Sequence, residues 1–366
     1  MTRVILIILR QSVKQRWEKL APREKRLILY LAVVLGFAAW KFTPRYWKPT
    51  LTIETPHYVI ASTATREQTE EMGRVAEILY AAYSDRLRSL PTFQADHPKL
   101  KLLLYKDRDE LRRINPGLGW AEAFYKKPYC RAYYSASETN PHHWMLHEAV
   151  HQLNAEVAHL HLAKWLEEGI ADYFASSQIR ENQLRLGRID PETYPVWWIE
   201  ELATDADLKK NLENGSVIPL RAIVTGRGGP LMRTHVNLYY LHWWSLTHFI
   251  FESEKGGNPA TRLLQRGGDL KAFEELIGPV DSVQPKWHEH VRLIKTALSR
   301  PGSRLLKKKG SMNWLKPFAM RELSGGAQRP PAASGTSRAA TTARLSAASL
   351  TRKNIGKNSM PPEKTM

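Results

Sequence analysis

The chain has 366 residues, 43% of them hydrophobic, which is enough apolar material for a sizeable core. Its formal net charge of +18 sits at the ends: residues 1–48 hold 11 Lys/Arg against 2 acids and residues 301–366 hold 13 against 2, leaving 30 against 32 between them. A near-neutral centre gives no basis for a nucleic-acid surface on the core, and a single cysteine, Cys130, excludes an intrachain disulfide, a thiolate zinc site and a CxxC redox centre.

Leu27 to Trp40 is an uncharged apolar run with Arg23, Lys25 and Arg26 before it and Lys41 and Trp47 after it. Fourteen residues fall short of the roughly 20 that span a bilayer. The run nevertheless begins late, lacks an A-x-A-like cleavage site and ends in aromatics, so it is expected to be an uncleaved anchor over about 27–42, within an N-terminal segment 1–48. The basic excess upstream then places the N-terminus in the cytoplasm and the remainder outside, at a bacterial inner membrane. Val4 to Leu9 is too short to span.

Residues 49–300 read as one α+β domain. Thr52-Ile53 and His57 to Ala61 predict strands, Ala64 to Leu87 an amphipathic helix with Met72, Val75, Ala76, Leu79, Tyr80 and Tyr83 on one face, Lys101 to Tyr105 another strand, and Asp107 to Ile114 a short helix. Ala123 to Tyr125 and Cys130 to Ala136 alternate and are rich in aromatics, which predicts further strands of a small mixed sheet. After Phe174 the sequence reads as a mainly helical lobe, with an apolar helix over Asn237 to Phe251 and two more helices around Ala260 to Leu276 and Gln284 to Leu298. From residue 301 the chain turns to Lys, Arg, Ser, Ala, Gly and Pro, the composition of a disordered tail, and Lys307 to Lys309 read as a solvated charge run.

The chemistry concentrates in Leu146-His-Glu-Ala-Val-His151 and Trp165-Leu-Glu-Glu-Gly-Ile-Ala-Asp-Tyr173. On a helix, His147 and His151 project from one face within reach of one cation, with Glu148 beside them as a base. Glu168, separated from His151 by 16 residues with a turn between, is the expected third ligand, and Glu167 is the competing carboxylate. Gly169 permits close helix approach, and Asp172, one turn beyond Glu168, can accept the second N–H of a ligand histidine. His142, His143, His159 and His161 lack the paired spacing and are read as surface or supporting residues.

His147-Glu148-x-x-His151 followed by Trp165-Leu-x-Glu168-Gly169-x-Ala171-x-Tyr173 resembles the gluzincin (peptidase MA-like) clan of zinc metallopeptidases, which includes the thermolysin-like enzymes and the gluzincin aminopeptidases. The likeness is greatest to a bacterial gluzincin-like group of uncharacterised function. It is specific in the two motifs and diffuse over the rest of His57 to Phe251. The resemblance implies one Zn2+ on His147, His151 and Glu168, Glu148 as general base, Asp172 behind a ligand histidine, and a downstream hydrogen-bond donor to the transition state. Tyr240 matches a Tyr-x-x-x-Trp-x-Leu pattern associated with that group, and Tyr239 competes if the helix is rotated.

The chain departs from the aminopeptidases in its shorter spacer from His151 to Glu168 and in lacking a Gly-x-Met-Glu-Asn motif, which favours an endopeptidase acting on a peptide or protein. Cys130 to Ala136 is then the expected edge strand for an antiparallel substrate. The competing class is a non-catalytic binding module on a zinc fold at the cell envelope. For that class Glu148 has no use.

Overall fold

The computed structural model describes residues 17–42, 47–119, 121–203, 207–253 and 259–299. The expected tail after residue 301 and the Val4 to Leu9 run lie outside them. Helix α1 (Pro22–Phe42) leaves Leu27, Leu29, Tyr30, Val33, Val34 and Leu35 exposed. Its uncharged stretch of 14 residues is about 21 Å long at 1.5 Å per residue, against about 30 Å of hydrocarbon. No helix among the described residues is long and apolar enough to cross a membrane.

The domain is α+β, built on a five-stranded mixed sheet ordered β1-β2-β3-β5-β4. Its strands are β1 (Leu51–Glu54), β2 (Tyr58–Ser62), β3 (Leu100–Tyr105), β4 (Phe124–Lys126) and β5 (Tyr129–Tyr133). The two outer pairs, β1 with β2 and β4 with β5, are antiparallel, and β2, β3 and β5 run parallel. Parallel neighbours need crossovers, supplied by α2 (Arg66–Leu87) and by the segment containing α3 (Arg108–Ile114).

Helix α2 starts where Thr65 and Gln68 form a reciprocal capping box. Its predicted apolar face, Met72 to Tyr83, is buried on the sheet. The sheet order corrects one expectation: β5, which holds Cys130, is an interior strand, and the edge beside the site is β4. Cys130 and Ala132 are fully buried, so a peptide has no free edge there.

Two helices follow the sheet, α4 (His143–Glu156) and α5 (Lys164–Ala175). In place of the expected helix after Phe174, β6 (Ser177–Arg180) and β7 (Gln183–Ile189) form an antiparallel hairpin, turning through Glu181 and Asn182 at positive φ. The chain then becomes helical: α6 (Leu208–Glu213), α7 (Leu220–Thr225) and α8 (Val236–Glu252), the last buried on nearly every side.

The two helices expected over 258–299 are three: α9 (Pro259–Gln265), α10 (Leu270–Leu276) and α11 (Val280–Leu298). The split falls at Gly267-Gly268, where φ values of +76° and +72° end a helix. Closeness adds to the need for glycine there, since a Cβ on Gly267 would lie 2.7 Å from the carbonyl oxygen of His161.

Candidate metal centre

Helix α4 buries Leu146, Ala149, Val150 and Leu153, the i, i+3, i+4, i+7 stripe of a core-facing helix. That rotation turns His147, Glu148 and His151 together toward a cleft. Helix α5 is drawn against α8 by Gly169: a Cβ there would lie 2.6 Å from the carbonyl oxygen of Trp243 and against Thr247 Oγ1. Glu168 and Asp172, on successive turns of α5, thereby reach the histidines of α4.

The result is a triangle of acceptor atoms. His147 Nε2 lies 3.1 Å from His151 Nε2 and 3.4 Å from Glu168 Oε2, and His151 Nε2 lies 3.7 Å from the same oxygen. A tetrahedral zinc with N and O ligands at about 2.0–2.2 Å requires its ligand atoms to be about 3.3–3.6 Å apart. The observed separations bracket that requirement, and among the described residues these three alone form such a cluster. Glu167, the competing carboxylate, reaches only the outer nitrogen of His151, at 3.9 Å, and its side chain is 48% exposed.

Behind the triangle, Asp172 Oδ1 accepts from His147 Nδ1 at 2.8 Å. That bond fixes the tautomer and aims the Nε2 lone pair at the centre of the triangle. Burial opposes charge throughout, but attraction overrides it at most members: His147 is held above its ordinary range chiefly by Asp172 and then by Glu168, and Glu168 below its own by the two histidines. Asp172 is completely buried, and desolvation lifts it to about 6 against the opposing pull of His147.

Glu148 lines the cleft without joining the triangle. The main-chain N–H of Tyr125, on edge strand β4, donates to its Oε2 at 2.6 Å. Among the described residues no hydrogen bond reaches its other oxygen. The Tyr125 hydroxyl donates to Glu156 two turns further along, at 3.0 Å, so the edge strand is pinned along α4.

The cleft holds about 380 Å³, with Phe124, Trp144, Tyr194 and Tyr240 as an aromatic wall. The Tyr240 ring centroid is 6.3 Å from that of His147, and the side chain lies within the field of Glu168. Burial, and then the charge of Glu168, raise its pKa well above the ordinary value, so it remains a proton donor at neutral pH. Tyr239 faces away, its hydroxyl donating to the carbonyl of Pro230 at 2.8 Å.

Two of the histidines read as surface or supporting residues are deeply buried. His142 pairs with Glu71 at 2.9 Å, and His143 bonds the carbonyl of Asn140. Their partners come from α2 and from the preceding turn, which local spacing does not reveal. Tyr194 had no sequence signal beyond its aromatic character, yet it packs on Tyr240 at 5.3 Å. Glu122 lines the cleft and was also missed. It is buried under Arg108, Arg112 and the Tyr133 hydroxyl, and Arg108 and Arg112, one turn apart on α3, were the readable trace of it.

One family model matches the chain, over residues 144–258, and it is described as a protein of unknown function, DUF1570. The matched segment holds His147, Glu148, His151, Glu168, Asp172 and Tyr240, and none of the five strands of the main sheet. Comparison with curated proteins gives no match.

Proposed function

We propose that the domain is a zinc-dependent peptidase of gluzincin type, acting as an endopeptidase on peptide or protein substrates. The observation that carries this is the triangle of His147 Nε2, His151 Nε2 and Glu168 Oε2, sized for one tetrahedral ion and flanked by a carboxylate that is not a ligand.

Zinc held by these three residues supplies Lewis acidity, polarising a carbonyl and acidifying water. Glu148, anchored through one oxygen by Tyr125, takes the proton of the attacking water on the other and returns it to the leaving amine. Tyr240, kept protonated by burial, donates a hydrogen bond to the oxyanion that develops at the scissile carbonyl. Strand β4 offers its edge to an extended peptide.

Glu122 is saturated by two guanidinium groups and a phenol, so it is not available to hold a substrate's terminal amine.

The test is metal content together with one substitution. The purified protein should carry about one zinc per chain, and Glu148→Gln should keep the metal and lose hydrolysis of a casein-type substrate. Undiminished hydrolysis by Glu148→Gln would remove the base, while stoichiometric zinc with no hydrolysis in the parent protein would leave the binding-module reading.

The membrane tether is proposed separately, on the exposed apolar side chains of α1. Alkaline extraction should leave the full chain in the membrane fraction, and a reporter fused after residue 302 should be active only outside the cytoplasm. Release by alkali or activity in the cytoplasm would refute it.

A further inference from the structure

Four carboxylates line the catalytic cleft: Glu168 is engaged by the histidines, Glu148 is held through one oxygen by the Tyr125 amide and is the proposed base, and Glu122 is taken by Arg108, Arg112 and Tyr133. Glu167 is the fourth. It is half-exposed, its one ionic contact is the His151 ring at 3.9 Å, and no lysine or arginine lines the cleft among the described residues.

Two cations on adjoining elements have contacts elsewhere. Lys164, one turn back on α5, lies over the Trp243 ring at 5.8 Å, and Arg266 pairs with Glu275. A carboxylate in a concave site without a counter-ion attracts a cation from outside, and the low-dielectric walls strengthen that attraction.

Glu167 also stands where two hollows meet. It lines the catalytic cleft and, on its other side, a depression of about 510 Å³ with His161, Arg266 and Asp269. That depression runs on into a third, sharing Leu160, His161, Arg266 and Gly267 with it. The floor is fixed, because the Ala163 N–H donates to the Gly267 carbonyl at 2.7 Å and stitches the α4–α5 turn to the α9–α10 turn. A groove that starts at the residue bordering the catalytic cleft suits a chain that continues past the scissile bond.

We propose that Glu167 is a specificity-determining residue that binds a positively charged group of the substrate, an ammonium or guanidinium, at the junction of the cleft and the groove. The inference rests on the peptidase reading for the presence of a peptide in the cleft. Continuity of the groove favours a Lys or Arg side chain over a free N-terminus, and the two sources are separable.

The probes are N-acetylated dipeptide hydroxamates carrying Lys or norleucine at each position in turn, plus norleucine compounds with a free amine, titrated against the full-length zinc-loaded protein. One position should favour Lys over norleucine by about fivefold, the upper end for a solvent-accessible ion pair. The ratio should fall to about one in Glu167→Gln and invert in Glu167→Lys. A free-amine preference with the same dependence on Glu167 would support the site and assign it to the terminus.

A charge preference at no position, or one that survives Glu167→Gln, overturns the proposal, as does failure of the whole set to bind. Because the measurement is affinity, a protein that binds in this pattern but cleaves nothing refutes the peptidase reading alone. One that cleaves peptides with no charge preference refutes only the role of Glu167.

Discussion

Replacing Gly169 by alanine tests how the third ligand is delivered. Helix propensity alone predicts a gain, since Ala is better than Gly in a helix interior by about 1 kcal/mol. The packing predicts the opposite. The added Cβ would lie 2.6 Å from the Trp243 carbonyl oxygen, whereas ordinary contact begins at 3.4 Å, so α5 and α8 must part by about 0.8 Å. The neighbour is backbone and cannot rotate away, unlike Thr247 Oγ1, which meets the same Cβ.

Overpacking of this kind typically costs about 1–3 kcal/mol, and a rigid backbone neighbour places Gly169→Ala at the upper end. Against the propensity gain, the net loss is about 1–2 kcal/mol, or a Tm lower by about 2–8 °C for a domain of this size. Thermal unfolding of the metal-free protein reads the packing, and chelator competition reads the ligand. Zinc binding should weaken in the same variant, because moving α5 takes Glu168 away from the two histidines. Thr247→Ala should restore only part of the Tm. A Tm equal to or above that of the parent would refute the close contact, and with it the account of how Glu168 is positioned.

Tyr240→Phe should retain zinc and lower kcat by about 10²–10³-fold, the usual loss for one oxyanion donor. Tyr239→Phe should change kcat little, and equal effects of the two would remove the assignment. Asp172→Ala should weaken zinc binding by about 10–100-fold, read by chelator competition, because His147 loses the acceptor that orients it; unchanged affinity would show that the bond is incidental.

His242 gives a pH prediction away from the cleft. Its ring is buried, with Nδ1 donating to the Leu238 carbonyl and Nε2 accepting from Ile218 N–H, so the fold holds the neutral form and burial pushes the pKa down to about 4. The unfolded chain, with a His near 6.5, binds the extra proton first. Stability must therefore fall as pH drops from about 6.5 to 4, by up to about 1.4 kcal/mol per pH unit from this group. Urea midpoints at pH 7, 6 and 5 should show a shallower loss in His242→Gln, and identical slopes would refute the claim.

What was legible in the sequence shares one property, locality. His147 and His151, or Glu168 and Asp172, sit four residues apart, and a helix converts that spacing into a shared face without help from the rest of the chain. The buried face of α2 was readable for the same reason. The β6–β7 hairpin was not, because its turn uses Glu181 and Asn182 at φ of +52° and +58° where an Asn-Gly pair would have announced it. Gly267-Gly268 was a visible breaker inside an expected helix, and its meaning depended on the carbonyl of His161 lying against it. The interior position of Cys130 follows from strand order, which pairing across 28 residues decides and local alternation does not.

The same distinction separates the two halves of the site. The candidate metal-ligating half lies on two helices joined by a short turn, α4 and α5, so its residue types and spacing survive as a motif. The half that would meet a substrate is drawn from the β4 edge (Phe124, Tyr125), the start of α4 (Trp144), the loop before the 3-10 helix Val196–Glu201 (Tyr194), α5 (Glu167) and α8 (Tyr240). No periodicity links those positions; they converge only because β4 is pinned to α4 and Gly169 draws α5 onto α8. The proposed reaction class therefore rests on a short stretch of this chain, whereas a substrate preference would be a property of the assembled fold. Substitutions at Glu167 should accordingly change which peptide is bound, and substitutions at Gly169 whether the metal is held.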